Sequence, residues 1–355
     1  MHIINKEFSK EKYSISFLIE DEHDNYRLDR FLQDYFSSFS RQFIKSKISR
    51  GDIRIKDRPH PHKPSTKIHA GEVVTVNTFK SDLESEFWYG KPIELDEEPE
   101  IIFEDSGAVV FSKPAFMATH PTGKHLFNCA SIYFETKYGH GMHSVHRLDR
   151  ETSGLLIMAK NPKMAAKLTM QFENTEVKKC YLLISKEKKD FSKTFPLCAK
   201  ERLDSGENHT NSVVIQAYPE DSKIGKPART DFQFLKQENG ILLALAFPQT
   251  GRQHQIRVHA ATHGFPLVGD KIYNGDYQVF ERFKDRVPTD ADHQLMEIPR
   301  HALHAIAIKI TYPDEKQVFQ SSLPKDLLDW LKLKEVNCDN LDELIQQKIE
   351  AYFEK

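Results

Sequence analysis

The sequence predicts an α+β protein whose main domain has a mixed, largely antiparallel sheet and is preceded by a small α/β module. Two observations support this fold class. Across residues 92–325, strand-like apolar runs outnumber helical stretches and do not alternate with them, which disfavours a doubly wound parallel sheet. Before that region, a basic stretch with two amphipathic helical patterns gives way to an acidic stretch, which indicates a domain boundary.

The charge is distributed unevenly along the chain, although the formal net charge is only −2. Residues 27–70 contain eleven lysines and arginines against four acids, whereas residues 81–105 contain ten acids against Lys91 alone. We therefore predict four parts: a basic module at 1–77 with its core at 27–77, an acidic linker at 78–91, a main domain at 92–325 and a helical C-terminal extension at 326–355.

The basic module contains two predicted helices followed by two short strands, DIRIK and GEVVTV. The first helix, within RLDRFLQDYF, places its apolar residues on one face, and the second lies within SRQFIKSKISRGD. Ser40 is a candidate N-cap and Gly51 a candidate stop for the second helix. We expect the outward cations to face the phosphate backbone of RNA or DNA, the alternative being an ordinary solvated surface. These cations are Arg41, Lys45, Lys47 and Arg50.

The main domain begins with a predicted hairpin, PEIIFEDSGAVVFSKP, which turns at Asp105–Gly107. Further strands are predicted at GLLIMAK, YLLIS, SVVIQAY, ILLALAF and LHAIAIKITY. Helices are predicted at KMAAKLTMQFEN and, for a short length, around IRVHAATHG. The tail from Asp326 is helical and amphipathic, and we expect it to pack against its own protein.

Several classes of protein are disfavoured by the sequence. No apolar run approaches the roughly 20 residues of a membrane span, and the N-terminus lacks the pattern of a secretory signal, so we expect a cytoplasmic protein. The four cysteines form no C-x-x-C pair and are expected to be reduced and buried. Neither a Walker segment nor a strand-linked G-x-G-x-x-G is present.

The stretch HRLDRETSG sets Asp149 between Arg147 and Arg150. Two neighbouring cations would lower the pKa of this carboxyl and keep it ionised, as a nucleophile or base requires. The alternative is that Arg150 does not touch Asp149, because sequence neighbours on a strand point to opposite faces. A kinase-like loop is disfavoured, since Gly154 stands where a magnesium-binding Asn is needed.

Two other kinds of site are disfavoured by the sequence. Histidines at 140, 143 and 146 and at 254, 259 and 263 lack the H-E-x-x-H spacing, so no metal site is predicted. Asp149 and Glu151 could form the carboxyl pair of a glycosidase, but no sugar-binding aromatic cluster accompanies them.

The motifs in order carry a more specific signal. HRLDRETSGLLIMAKN, KKCYLLI, ARTDFQFL, LLALAFPQTGRQHQIRVHAATHGFPLVGDKIY and LHAIAI follow one another within residues 92–325. This order resembles the RluA-type family of pseudouridine synthases, which act on structured RNA, chiefly large-subunit ribosomal RNA. Residues 27–77 resemble the S4-type RNA-binding module, although the segment KDRPHPHKPST replaces the expected tight turn.

The resemblance implies an isomerase that uses no redox cofactor, nucleotide or metal, with structured RNA as its partner and a monomeric state. It implies that Asp149 is the essential aspartate and that Arg147 contacts the displaced RNA. Tyr181 would stack on the uracil and help remove the C5 proton.

The resemblance also implies a basic partner for Asp149, with Arg257 as the best candidate and Arg252 as the second. Asp270 is expected to fix a turn, and His146 to face RNA. The alternative from another class is a non-catalytic RNA-binding or ribosome-assembly factor on the same fold.

Overall fold

The computed structural model describes residues 2–9, 11–36, 39–80, 86–95, 98–121, 125, 127–186, 195–205 and 213–354. The chain forms two compact units, residues 1–85 with 120–140 and residues 86–119 with 141–355. This division differs from the predicted boundaries, because 120–140 fall in the first unit and the predicted extension at 326–355 falls within the second. None of the described helices is long and apolar enough to cross a membrane.

The first unit contains a four-stranded antiparallel sheet in the order β1-β2-β4-β3. Its strands are β1 His2–Phe8, β2 Lys12–Leu18, β3 Ile53–Ile55 and β4 Val73–Phe79. Its α-helices are α1 Leu28–Tyr35, α2 Arg41–Arg50 and α3 Ala130–Tyr138. Phe17, Phe31, Ile48 and Phe127 share one core, so the segment from 120 to 140 contributes apolar surface to this unit.

The predicted signals around α2 are confirmed. The Ser40 side chain accepts a hydrogen bond from the Phe43 N–H, and Gly51 ends the helix with φ +82°. The predicted exposure of Lys47 is wrong, because its side chain is only 1% exposed and its Nζ lies 3.3 Å from Asp52 Oδ2. Position 47 lies on the face of α2 that also carries Ile44 and Ile48, so packing determines its environment.

The second unit contains a ten-stranded sheet with the main order β12-β15-β16-β11-β17-β10-β8-β7, in which β18 also pairs with β17 and β9 with β10. The first strands are β5 Phe87–Trp88, β6 Lys91–Pro92, β7 Glu100–Glu104, β8 Ala108–Lys113, β9 His143–Ser144, β10 Ser153–Ala159 and β11 Lys178–Lys186. The later strands are β12 Leu197–Ala199, β13 Arg202–Asp204, β14 Gln216–Tyr218, β15 Thr230–Glu238, β16 Ile241–Pro248, β17 Leu303–Thr311 and β18 Lys316–Gln320. Its helices are α4 Pro162–Glu173, α5 Gln255–Thr262, α6 Tyr277–Lys284, α7 Asp290–Met296, α8 Lys325–Leu333 and α9 Leu341–Phe353.

The mixed, largely antiparallel sheet is confirmed, since the pairing of β10 with β17 is parallel and the other described pairings in this sheet are antiparallel. The hairpin of β7 and β8 has the predicted turn. The strand predicted at SVVIQAY is shorter than expected, because only 216–218 pair, with β13, and Ser212 lies outside the described residues.

Both faces of the sheet are covered, which explains why β10 and β16 are buried along their whole length. On one face, α9 packs Ile345, Ile349 and Phe353 into a core with residues of β11 and β16. The tail therefore packs against its own protein, as predicted. On the other face, α5 packs against Phe265 and Ala244. Cys129 and Cys180 are buried as expected, but Cys198 on the edge strand β12 is exposed.

Gly154 permits the close approach of β10 and β17. Its φ is +104°, and a Cβ atom there would lie 2.2 Å from the backbone oxygen of Ala305. Because the obstructing atom belongs to the backbone of a central strand, it cannot move aside cheaply. Gly154, five residues after Asp149, is therefore required for the close packing of β10 against β17.

Gly154→Ala is expected to lower the free energy of unfolding by about 3 kcal/mol or more, since a left-handed conformation costs about 1–2 kcal/mol and overpacking about 1–3 kcal/mol. Gly240→Ala is the matched control, because Gly240 has φ +75° and no atom within 4 Å of a Cβ. Urea unfolding of both variants tests this expectation. Equal losses would contradict the steric argument.

Candidate active site

A cavity of about 580 Å³ lies in the second unit, within the size range of small-molecule sites. Its lining includes six residues singled out from the sequence: His146, Arg147, Asp149, Tyr181, Arg252 and Arg257. The other four, Arg41, Lys45, Lys47 and Arg50, belong to the first unit. Two residues that sequence reasoning did not assign to the site, Lys179 and His254, also line the cavity.

The backbone around Asp149 is fixed by buried side chains. The Leu148 N–H donates to the Thr119 hydroxyl, and that hydroxyl donates to the Leu148 carbonyl, each at 3.2 Å. The fully buried Lys113 donates from Nζ to the carbonyls of Arg150, Pro114 and Met117. Both sides of Asp149 are therefore anchored to the β8 region, which limits the motion of its side chain.

Arg257, the predicted partner, lies between two carboxylates. Its Nη1 donates to Asp149 Oδ2 at 2.9 Å, while Nε and Nη2 donate to the two oxygens of Asp270 at 2.7 and 2.8 Å. The Arg257 side chain is 6% exposed, Asp270 is fully buried and Asp149 is 23% exposed. The guanidinium fork is thus oriented by Asp270 and presents its remaining edge to Asp149.

Asp270 fixes a turn, as expected, and it also binds Arg257. Its Oδ1 accepts the backbone N–H groups of Ile272 and Tyr273, which confirms the turn. Its pairing with Arg257 was not predicted, because thirteen residues of sequence separation gave no signal for it. The ring of Tyr273 also lies against the Arg257 guanidinium, 5.1 Å from its centroid.

These contacts set the charge of Asp149. Burial acts to raise the pKa of this carboxyl, but the charges of protonated His254 and of Arg257, with the Arg257 hydrogen bond, outweigh burial and hold the pKa below its usual value. At neutral pH, Arg257 is the stable source of positive charge, because the pKa of Arg257 is raised by its carboxylate partners although burial opposes this. Asp149 is therefore ionised, with Arg257 held against Oδ2.

The two arginines that flank Asp149 in sequence have other positions. Arg150 pairs with Glu86 at 2.7 Å and with Glu151 at 3.5 Å, so it is directed away from Asp149. Arg147 is exposed at the cavity and donates no hydrogen bond within the described residues, but its charge helps to lower the pKa of Asp149, as predicted. Arg252 is exposed as well and donates from Nε to the Pro227 carbonyl at 3.0 Å. The two arginines of the R-L-D-R motif therefore lie in different surroundings, Arg147 at the cavity and Arg150 against two carboxylates.

Tyr181 is part of β11 and lines the cavity two residues after Lys179, on the same side of the strand. Burial, together with the charge of Asp149, raises the pKa of the Tyr181 phenol, so the hydroxyl is protonated at neutral pH. Within the described residues this hydroxyl has no hydrogen-bond partner. Burial lowers the pKa of Lys179 to about 8.

His146 has a structural contact that the sequence did not indicate. Its Nε2 accepts a hydrogen bond from the Ile157 N–H at 3.0 Å, and its ring stacks on Phe172 with centroids 4.5 Å apart. Burial, with the charge of Lys179, lowers the pKa of His146 to about 3. The ring is therefore neutral, and Nε2 is not available to RNA.

Glu151 does not form the carboxyl pair of a glycosidase with Asp149. It accepts from Lys271 Nζ at 2.8 Å and from the His301 N–H at 3.2 Å. A carboxylate already paired and hydrogen-bonded in this way stabilises the turn after Asp149. Within the described residues, no group of three or more His, Cys, Asp or Glu side chains is arranged to hold a metal ion.

The neutral ring of His146 makes stability depend on pH. Its pKa rises from about 3 in the folded chain to about 6.5 in the unfolded chain, so the unfolded chain binds the extra proton between these values. The contribution of His146 to the free energy of unfolding is therefore fully present above pH 6.5, and it is lost as the pH falls from 6.5 towards 3.

The free energy of unfolding of the wild type should decrease between pH 7 and pH 5. In His146→Gln we expect this decrease to be smaller by about 2 kcal/mol. The glutamine oxygen can still accept the Ile157 N–H but does not titrate. Urea unfolding at both pH values measures the difference. An unchanged pH slope would show that His146 is not the titrating group.

Comparisons with known proteins give matches to RNA pseudouridine synthases. A family model described as "RNA pseudouridylate synthase" matches residues 107–262. An "Uncharacterized RNA pseudouridine synthase" of Aquifex aeolicus is 31% identical over 276 residues, covering 73% of this chain and 79% of that protein. A "Ribosomal large subunit pseudouridine synthase D" of Vibrio vulnificus is 28% identical over 332 residues, covering 88% of this chain and 91% of that protein.

A solved structure supports the fold. "Human RNA Pseudouridylate Synthase Domain Containing 4" superposes with a TM-score of 0.51 at 23% identity, covering 66% of this chain and 92% of that one. At this identity the likeness concerns the fold alone. The sequence match to the Aquifex protein extends over most of both chains, and the chain therefore belongs to the RNA pseudouridine synthases, which are isomerases.

Proposed function

We propose that this RNA pseudouridine synthase isomerises specific uridines of large-subunit ribosomal RNA, and that Asp149 is its catalytic carboxylate. The observation that carries the proposal is the ionised Asp149 in the cavity, held by Arg257 on one oxygen, with Tyr181 lining the same cavity. The ribosomal substrate is supported by the name of the Vibrio relative, whose similarity spans 88% of this chain.

The proposed reaction replaces one bond to C1′ of the sugar with another. The bond from N1 of uracil to C1′ breaks, the uracil turns, and a new bond forms from C5 to C1′. The C5 proton leaves and N1 gains a proton, so the product is an isomer of the substrate. Asp149 either attacks C1′ or removes a sugar proton, and both roles need the ionised carboxylate.

Reaching a stacked base requires the uridine to be turned out of the RNA, at a cost of a few kcal/mol. The exposed Arg147 and Arg252 at the cavity are suited to holding the displaced backbone phosphates. The Tyr181 ring is suited to stacking on the uracil, since an aromatic face replaces the stacking that the base loses. Burial, with a smaller contribution from the charge of Asp149, raises the pKa of this phenol, so the hydroxyl enters the reaction protonated.

We further propose that the first unit binds RNA as an S4-type module. Arg41 and Lys45 lie one turn apart on the exposed face of α2, where they can meet two phosphates. Arg50 is exposed but pairs with Asp52, and Lys47 is buried, so neither is offered as a main contact. A ribosomal substrate would place the protein with ribosomes, in accord with the predicted cytoplasmic location, and the monomeric state stays a prediction.

Asp149→Asn is expected to abolish pseudouridine formation while leaving the fold and RNA affinity intact, because asparagine keeps the shape but not the charge. The measurement is pseudouridine mapping on RNA from cells that lack this protein and are complemented with wild type or variant. Sites restored by wild type alone would support both the residue and the target.

The matched control for this experiment is Asp314→Asn, which removes an exposed carboxylate that pairs with Lys167 outside the cavity. This control should restore every site. Pseudouridine formed by Asp149→Asn would refute the assignment of the carboxylate. If no ribosomal site depends on the protein, transfer and messenger RNAs are mapped next, and RNA binding without isomerisation of any RNA would favour the assembly-factor alternative.

The double variant Arg41→Gln/Lys45→Gln is expected to weaken RNA binding and to reduce the slope of log Kd against log salt by about 0.7–0.9 for each phosphate that is no longer neutralised. Point variants are preferable to deletion of residues 1–80, because deletion would expose Phe127 and its neighbours in the same core. Filter binding at several salt concentrations measures the slope.

Lys325→Gln/Lys332→Gln on α8 is the control, since it removes the same charge from exposed positions of the second unit. An equal change of slope in both double variants would count against RNA binding by α2.

A further inference from the structure

We propose that His254 is a positioning residue for Asp149, and that Tyr273 holds the His254 ring in the one tautomer that can donate to Asp149. This inference rests on the proposed function of Asp149. It directs a second N–H at the carboxylate oxygen that Arg257 contacts, from a distance of 3.7 Å in this structure.

The direction of the hydrogen bonds follows from the contacts of the Tyr273 hydroxyl. This oxygen accepts the backbone N–H of Ile215 at 3.0 Å and lies 2.9 Å from His254 Nδ1. Within the described residues, His254 Nδ1 is the group in contact with this hydroxyl that can accept its proton, so we infer that Tyr273 donates to Nδ1. Burial raises the pKa of Tyr273, so this proton is present at neutral pH.

The tautomer of His254 follows in turn. A neutral imidazole has one donor and one acceptor nitrogen, and Nδ1 is the acceptor here. The proton is therefore on Nε2, which lies 3.7 Å from Asp149 Oδ2. Burial, together with the charge of Arg257, lowers the pKa of His254 to about 4, so the ring is neutral and has a single N–H to direct.

The distance of 3.7 Å is longer than a hydrogen bond, as contacts of catalytic groups often are before the substrate binds. The backbone of His254 is held in the left-handed region with φ +53°, directly before α5, a conformation that few residues other than glycine adopt. Its ring also lies edge-on to Tyr273. Both features fix the direction in which Nε2 points.

The arrangement distinguishes the two oxygens of Asp149. Arg257 and His254 both face Oδ2, whereas Oδ1 accepts no hydrogen bond from the described residues. The Arg257 hydrogen bond and the His254 N–H directed at the same oxygen orient the carboxylate, and they leave Oδ1 as the oxygen that can react with the sugar. His254 therefore acts through Asp149 and not on the uridine.

The β13–β14 region contributes to this chain of contacts through the Ile215 N–H. Leu203, Ile215 and Val258 form a small core against which Tyr273 packs. The hydroxyl of Tyr273 is thus positioned by a part of the sequence far from the motif that contains Asp149. Sequence reasoning had no signal for this link.

The test compares His254→Leu, His254→Gln, Tyr273→Phe and the double variant His254→Leu/Tyr273→Phe in the full chain. The rate constant is measured under single-turnover conditions as tritium released from C5 of [5-³H]uridine-labelled large-subunit ribosomal RNA. The dissociation constant for the same RNA and the thermal midpoint are measured for each variant.

We expect His254→Leu to lower the rate about tenfold or more with little change in RNA affinity, since a misdirected carboxylate affects the reacting geometry and not binding. His254→Gln should recover most of the rate, because its amide can donate to Asp149. Tyr273→Phe should lower the rate by a smaller factor, and it should add nothing in the His254→Leu background, since Tyr273 acts through His254.

Tyr312→Phe is the matched control for hydroxyl removal. Its hydroxyl donates to Asp105 at 2.6 Å and its ring does not line the cavity, so stability should fall while the rate is kept. The proposal is overturned if His254→Leu keeps the wild-type rate, if His254→Gln is as slow as His254→Leu, or if the two losses multiply in the double variant. Asp149→Asn is measured alongside, because activity in that variant would refute the proposed function itself.

Discussion

The site depends on one buried guanidinium group. Arg257 donates three hydrogen bonds to two carboxylates, Asp149 and Asp270, and its side chain is only 6% exposed. A buried cation is unfavourable unless its hydrogen bonds are satisfied, and a buried carboxylate has the same requirement. The three groups therefore stabilise one another, and this mutual requirement fixes the direction of the Asp149 side chain. Removing Arg257 would leave both carboxylates without the cation that they share.

The fold supplies these groups from separate parts of the chain. Asp149 precedes the central strand β10, Arg257 is on α5 after β16, and Asp270 begins the turn that carries Tyr273. Because β10 pairs in parallel with β17 and packs closely against it at Gly154, the segment with Asp149 that precedes β10 is held at a defined position beside the sheet. Lys113, Thr119 and the network around Glu151 then anchor the backbone on both sides. The cavity is thus built on strands and buried hydrogen bonds, which suits a reaction that needs precise orientation.

Much of this arrangement could be predicted from local sequence patterns. Continuous apolar runs predicted the central strands, Ser40 and Gly51 predicted the ends of α2, and the order of motifs predicted the family. Long-range pairings could not be predicted, because hydrogen bonds such as those from Arg257 to Asp270 or from Tyr273 to His254 leave no periodic signal. Burial of individual cations also depends on packing, which is why the predicted exposure of Lys47 and the predicted RNA-facing position of His146 differ from the structure.

The forked geometry of Arg257, and not merely its positive charge, prepares Asp149 for reaction. Arg257→Lys separates these two contributions, because an ammonium group keeps the charge but cannot contact both carboxylates with the same geometry. We expect the single-turnover rate of this variant to fall about 100-fold or more while the dissociation constant for RNA changes little. A lysine variant with the wild-type rate and normal stability would show that the positive charge alone is sufficient.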